Sequence, residues 1–113
     1  MRRIEEQMLA TIKTGKARSL GNTMVTDGGA VYLHGNKIAQ YSALDNTLRL
    51  DACGWFTMTT RSRLDALCEL LDGNYRASIR HGILAIDNIA TGERVDLPAT
   101  LKAIDALRGV YVA

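Results

Sequence analysis

The segment richest in potential chemistry is Thr59-Thr60-Arg61-Ser62-Arg63. Three hydroxyls and two guanidinium groups gather at the expected start of a helix. Unpaired backbone N–H groups point outward at such an end and favour anions. Thr59 or Thr60 is the expected cap. Arginine is an unusual choice here, because the helix dipole opposes each first-turn cation by roughly 0.3–1 kcal/mol. No Glu follows either threonine at capping-box spacing to offset it. One reading is a phosphate cradle. The plainer reading lays the arginines over Trp55 and Phe56, or pairs them with Asp51 and Asp65.

A second group is expected on the outward face of a hairpin: Tyr32, His34, Lys37 and Tyr41, with Arg49 on the adjoining strand. Aromatic and basic side chains on one sheet face resemble, in type, platforms on which single-stranded nucleic acid stacks. The same face would suit a protein partner, where Tyr and Arg are enriched. It is equally compatible with ordinary cross-strand packing.

Other chemistries find no support. His34 and His81 have no Cys or His at metal-ligand spacing, so no metal and no cofactor are expected. No positioned nucleophile and base, no paired carboxylates and no glycine-rich phosphate loop occur, so no catalytic residues are expected and an enzyme is disfavoured. Cys53 and Cys68 are too few for a disulfide framework and are read as reduced packing residues. Charge is uneven: residues 1–63 hold nine Lys/Arg against five Asp/Glu, residues 64–113 five against seven. A mildly basic half is compatible with nucleic acid, but the chain is neither a basic arm nor an acidic mimic of DNA. The opening carries Glu5, Glu6 and Gln7 instead of an apolar leader core, and no apolar run approaches membrane-spanning length. The cytosol is the expected compartment, with no membrane partner.

These side chains must be held by a compact set of elements. Ile4, Met8, Leu9 and Ile12 predict an amphipathic helix over Arg2 to Thr14, closed by Gly15. Thr14 to Asn22 reads as a polar connector. Thr23–Thr26 is a short β-branched strand, and Asp27-Gly28-Gly29 is a turn. Gly35-Asn36 predicts a two-residue II′ hairpin turn placing His34 opposite Lys37 and Leu33 opposite Ile38. Leu48 to Leu71 reads as strand, break at Gly54 and helix, with Leu64, Leu67 and Leu71 inward and Gly73 as its end. A turn at His81-Gly82 would put Ala77, Ile79, Leu84 and Ile86 on one face, and a turn at Thr91-Gly92 leads to Val95 and Leu97. Pro98 opens a third helix through Leu107, and Val110–Ala113 is a tail or edge strand. The expectation is one α+β domain over residues 1–113, ordered α-β-β-β-α-β-β-β-α. Its antiparallel sheet would have about five to six strands with three helices.

Several stretches together resemble a group of small proteins encoded by tailed bacteriophages. They are Gly21-Asn22-Thr23, Leu33-His34-Gly35-Asn36, Ile38-Ala39, Gly54-Trp55, Thr57, and Thr59 through Leu64, within residues 4–71. The resemblance implies origin, a phage product acting in the bacterial cytoplasm, and carries no catalytic or binding residue with it. It suggests a non-enzymatic accessory protein that binds and inhibits a host protein or defence complex, for example of anti-CRISPR type. The alternative is a small nucleic-acid- or nucleotide-binding protein using Thr59–Arg63. A homodimer is expected as well, since a final edge strand would need covering.

Overall fold

A computed structural model of the chain describes residues 2–44, 47–51, 57–71, 74–96 and 110–112, the last three by backbone alone. Two α-helices and nine strands form among the described residues: α1 (Arg3–Thr14), β1 (Arg18–Leu20), β2 (Thr23–Val25), β3 (Ala30–Leu33), β4 (Asn36–Ser42), β5 (Thr47–Leu50), α2 (Met58–Cys68), β6 (Tyr75–Arg80), β7 (Ile83–Asn88), β8 (Arg94–Asp96) and β9 (Val110–Val112). The class is α+β. The expected third helix, and the expected break at Gly54 with its neighbours Cys53, Trp55 and Phe56, lie outside the described residues, as does Gly73.

There are two sheets where one was expected. Strands β1 to β5 form an antiparallel meander in sequence order, with β9 added parallel to β5 at the edge. Strands β6, β7 and β8 make a separate antiparallel sheet. Strand β1 occupies part of the stretch read as a connector. Its hairpin with β2 pairs Leu20 with Thr23 across Gly21-Asn22, where Gly21 alone has positive φ (64°). A Gly-Asn turn with glycine first is thus present, but at 21–22 and not at 35–36.

At the β3–β4 hairpin the turn residues are His34 and Gly35, both at positive φ (51° and 80°), the pattern of a type I′ turn. Leu33 therefore faces Asn36 and Tyr32 faces Lys37, two positions off the expected register. A slip of two keeps the side-chain parity, so Ile38 stays on the face of Val31 and Leu33. A bulge between Val31 and Tyr32 in the register then changes the parity beyond it: Val31 pairs with Ala39, and Ile38 and Ala39 are both buried. The β6–β7 hairpin uses the same His-Gly pair at 81–82 without a bulge, and Ala77 pairs with Ile86 and Ile79 with Leu84 as expected.

Helix α1 ends as its sequence predicts. Gly15 adopts a left-handed φ of 69°, Gly15 N donates to Ile12 O and Lys16 N donates to Thr11 O, the two bonds of a Schellman ending. Met8, Leu9 and Ile12 are buried and Ile4 packs beside them. Helix α2 buries Leu64 and Leu67 completely, and Leu71 is buried in the 3-10 turn that follows. These residues join Val25, Val31, Leu48, Leu50, Leu84 and Ile86 in one hydrophobic cluster that spans both sheets. Asp65 on α2 accepts the Ala77 backbone N–H of β6 at 2.9 Å. That bond covers an edge N–H of the small sheet that no strand among the described residues reaches.

Candidate functional site

The start of α2 lies earlier than the threonine pair. Thr57 is the cap: its Oγ1 accepts the Thr60 N–H at 3.2 Å, and the two threonine hydroxyls meet at 3.1 Å. The helix begins at Met58, so Arg61 and Arg63 are its fourth and sixth residues. This removes most of the dipole conflict, because the effect fades beyond the first turn.

The two arginines do not form one cradle. Arg63 is only 3% exposed, and its guanidinium turns into the protein. Nη1 donates to Glu5 Oε2 at 2.7 Å, Nε to Thr23 Oγ1 at 3.0 Å, and Nη2 to Asn22 Oδ1 at 3.4 Å. Ser62 Oγ donates to the same Glu5 oxygen at 2.5 Å. Glu5 Oε1 accepts the Arg2 backbone N–H at 3.3 Å, half of a capping box on α1. The expected outward phosphate cradle, and the plainer pairing of Arg63 with Asp51 or Asp65, are both corrected: Glu5 is the partner. Burial alone would raise the Glu5 pKa, but hydrogen bonds from Ser62 and Arg63 outweigh it and hold it below the usual carboxylate value.

This pair fastens α1 to α2 and to the β1–β2 turn, and its members hid in plain view. Glu5 stands on the same helical stripe as Met8, Leu9 and Ile12, and Arg63 on the stripe of Thr60, Leu64 and Leu67. Opposite charges on the apolar stripes of two helices were the available signal.

The structure brings His34 together with Thr59 and Thr60. With Leu33, Asn36, Ile38 and Thr57 they line a cleft of about 420 Å³ between the β3–β4 turn and the α2 start, and the lining is mostly apolar. Met58, in the first turn of α2, is 60% exposed.

The sheet face divides otherwise than expected. Met24, Tyr32 and Lys37 form one cross-strand row, and Gln40 and Arg49 another. Lys37 and Arg49 are exposed and line a small cleft of about 170 Å³ with Asp51 and Gln40. Tyr41 is not on this face. It pairs with Leu48 and packs against the core, because the bulge at Ile38 shifts the inward parity of β4 by one. Tyr32, Lys37 and Arg49 therefore remain outward, while His34 in its turn serves the α2-start cleft.

Cys68 is fully buried and unpaired; burial, with Asp65 nearby, pushes its thiol pKa well above the ordinary value. It is a packing residue, as expected, whereas Cys53 lies outside the described residues. No cluster of three metal-ligating side chains occurs among the described residues. No helix among them is long and apolar enough to cross a membrane.

Comparison with known proteins adds origin. No curated protein and no solved structure matches the chain. One family profile does, that of the Kyanoviridae Gp96 protein, over residues 1–96, from α1 through β8. This reaches well past residues 4–71, from which the phage resemblance was drawn. The chain thus belongs to the Kyanoviridae Gp96 family of phage proteins.

Proposed function

We propose that this phage protein is a non-enzymatic accessory factor that attaches to a host protein or defence complex in the host cytoplasm and blocks it, as an anti-CRISPR-type inhibitor does. The observation that supports this reading is the apolar cleft at the α2 start, beside an exposed Met58. Leu33 and Ile38 give it an apolar floor, and Thr57 and Thr59 hydroxyls give it a polar rim. An apolar side chain of a partner would be desolvated there, and a rim of hydroxyls would fix its orientation. Attachment needs no reactive group, in keeping with the burial of Arg63 and Cys68.

The test is recovery of a host protein from lysate on immobilised protein, with and without nuclease, for the native chain and for Met58→Asp. Met58 is exposed, so the fold tolerates the change. Recovery that survives nuclease and falls about tenfold in Met58→Asp is expected, the scale of losing one well-buried contact. Recovery indifferent to Met58→Asp and to Thr59→Glu contradicts the reading.

The second reading, nucleic-acid or nucleotide binding, draws on the outward-facing Tyr32, Lys37 and Arg49, from two cross-strand rows, in place of Arg63. It requires affinity that falls steeply with salt and drops in Lys37→Ala and Arg49→Ala. Self-association through a sheet edge belongs to the proposal as well; light scattering showing a monomer at micromolar concentration would remove it.

A further inference from the structure

Arg61 differs from every other cation near α2. Its Nε is buried and has no hydrogen-bond acceptor among the described residues. Such donors are rare in folded proteins, because an unsatisfied buried N–H forfeits its hydration without return. Arg61 lines a second cleft, of about 600 Å³, predominantly polar, between the start of α1, the flank of α2 and β6. Arg2 and Arg76 reach the same cleft from α1 and β6. None of the residues lining it lines the cleft at the α2 start.

The carboxylates here are unequal. Glu5 is committed to Arg63 and Ser62. Asp65 is committed to the Ala77 N–H and stands 3.8 Å from Arg76. Neither Arg2 nor Arg61 has an ion pair among the described residues, and Glu69 is the remaining acid, exposed on the lining. A guanidinium whose Nε has no acceptor among the described residues, joined by two more guanidinium groups from separate elements, is suited to an oxyanion with several acceptor oxygens. The volume is that of a site for a small molecule. The interspersed carboxylates disfavour a long polyanion running past, but not a single phosphate seated against Arg61.

We infer that this cleft binds a small phosphorylated molecule of nucleotide size, with Arg61 as the principal ligand and Arg2 and Arg76 as outer clamps. The inference is independent of the proposed host attachment, since it uses none of the residues of that site.

The full chain would be titrated with inorganic phosphate and with adenosine monophosphate, followed by calorimetry and by amide NMR shifts. Saturable binding is expected, with shifts centred on Arg2, Arg61 and Arg76. Arg61→Ala should weaken it about tenfold or more, the scale of a lost charged hydrogen bond. Arg76→Ala should weaken it less, and Lys13→Ala, at an exposed cation on the last turn of α1 away from the cleft, not at all. Glu69→Gln, a change at an exposed position that leaves Arg61 intact, should tighten binding about twofold by removing a nearby negative charge. Absence of saturation, shifts centred on the outer sheet face, or equal affinity in Arg61→Ala would overturn the assignment. So would an oligonucleotide that outcompetes phosphate at Arg61.

Discussion

Arg61 and Arg63 are two residues apart on one helix, yet they live in different physics. Arg63 faces the protein, is almost wholly buried and has all its ends engaged by Glu5, Thr23 and Asn22. Arg61 faces a polar cleft with its Nε unanswered. A helix turns about 100° per residue, so neighbours at this spacing point to opposite flanks. The contrast teaches that a motif of like residues is not a site until the helix face is known. The inner flank of α2 spends its charge on holding α1 and the β1–β2 turn in place. The outer flank leaves Arg61 against the polar cleft, where the proposed phosphorylated ligand would sit.

The largest expected effect breaks the inner flank. Arg63→Ala leaves Glu5 buried without its cation and should cost about 3–5 kcal/mol in urea unfolding. Arg63→Lys should not rescue it, because one ammonium cannot reach Thr23 and Glu5 along the two arms of a guanidinium. Glu5→Gln retains the shape and one acceptor, and should cost less, about 1.5–3 kcal/mol. It also removes a pH dependence. The folded Glu5 pKa is depressed, so its contribution is complete above the ordinary carboxylate value of 4.5 and is lost as pH falls through the lower folded value. The native protein should therefore lose stability more steeply than Glu5→Gln in acid below that point.

Smaller effects sharpen the other side. Thr57→Ala removes the hydroxyl that accepts the Thr60 N–H and should cost about 1 kcal/mol, with the α2-start cleft loosened by the same change. Arg61→Ala should shift stability by less than about 0.5 kcal/mol, since no partner is left behind. A matching contrast holds for thiol chemistry. In a Cys53→Ser background, Cys68 should resist an aromatic disulfide reagent in the folded chain and react once unfolded, because its buried thiolate is strongly disfavoured.

Much of the scaffold was legible because periodicity carries burial. Met8, Leu9 and Ile12 on α1, Leu64, Leu67 and Leu71 along α2, and Ala77, Ile79, Leu84 and Ile86 around His81-Gly82 stand where their spacing put them. The β3–β4 hairpin shows where such reading fails. Gly35-Asn36 and His34-Gly35 are both acceptable turn pairs and both leave Ile38 on the face of Leu33, but the bulge at Ile38 turns Ala39 and Tyr41 to the core face. Local turn chemistry could not announce a bulge inside the strand, and Tyr41 was expected on the opposite face as a result. Two sheets in place of one follow from the same source, since short antiparallel strands do not say which neighbours close a sheet. The site was legible in composition and not in direction. His34, Thr59 and Thr60 do line one cleft, but the helix cap is Thr57, two residues before Thr59, and nothing in the local spacing points from Arg63 to Glu5.

The division of α2 into a structural and an available flank is tested most directly by paired double-mutant cycles. Glu5→Ala would be combined with Arg63→Ala and, separately, with Arg61→Ala, each followed by urea unfolding. A coupling of about 1.5 kcal/mol or more between Glu5 and Arg63 is predicted, with Glu5 and Arg61 additive within about 0.5 kcal/mol. Additivity for Glu5 with Arg63, or a coupling of Glu5 to Arg61 of similar size, would contradict it.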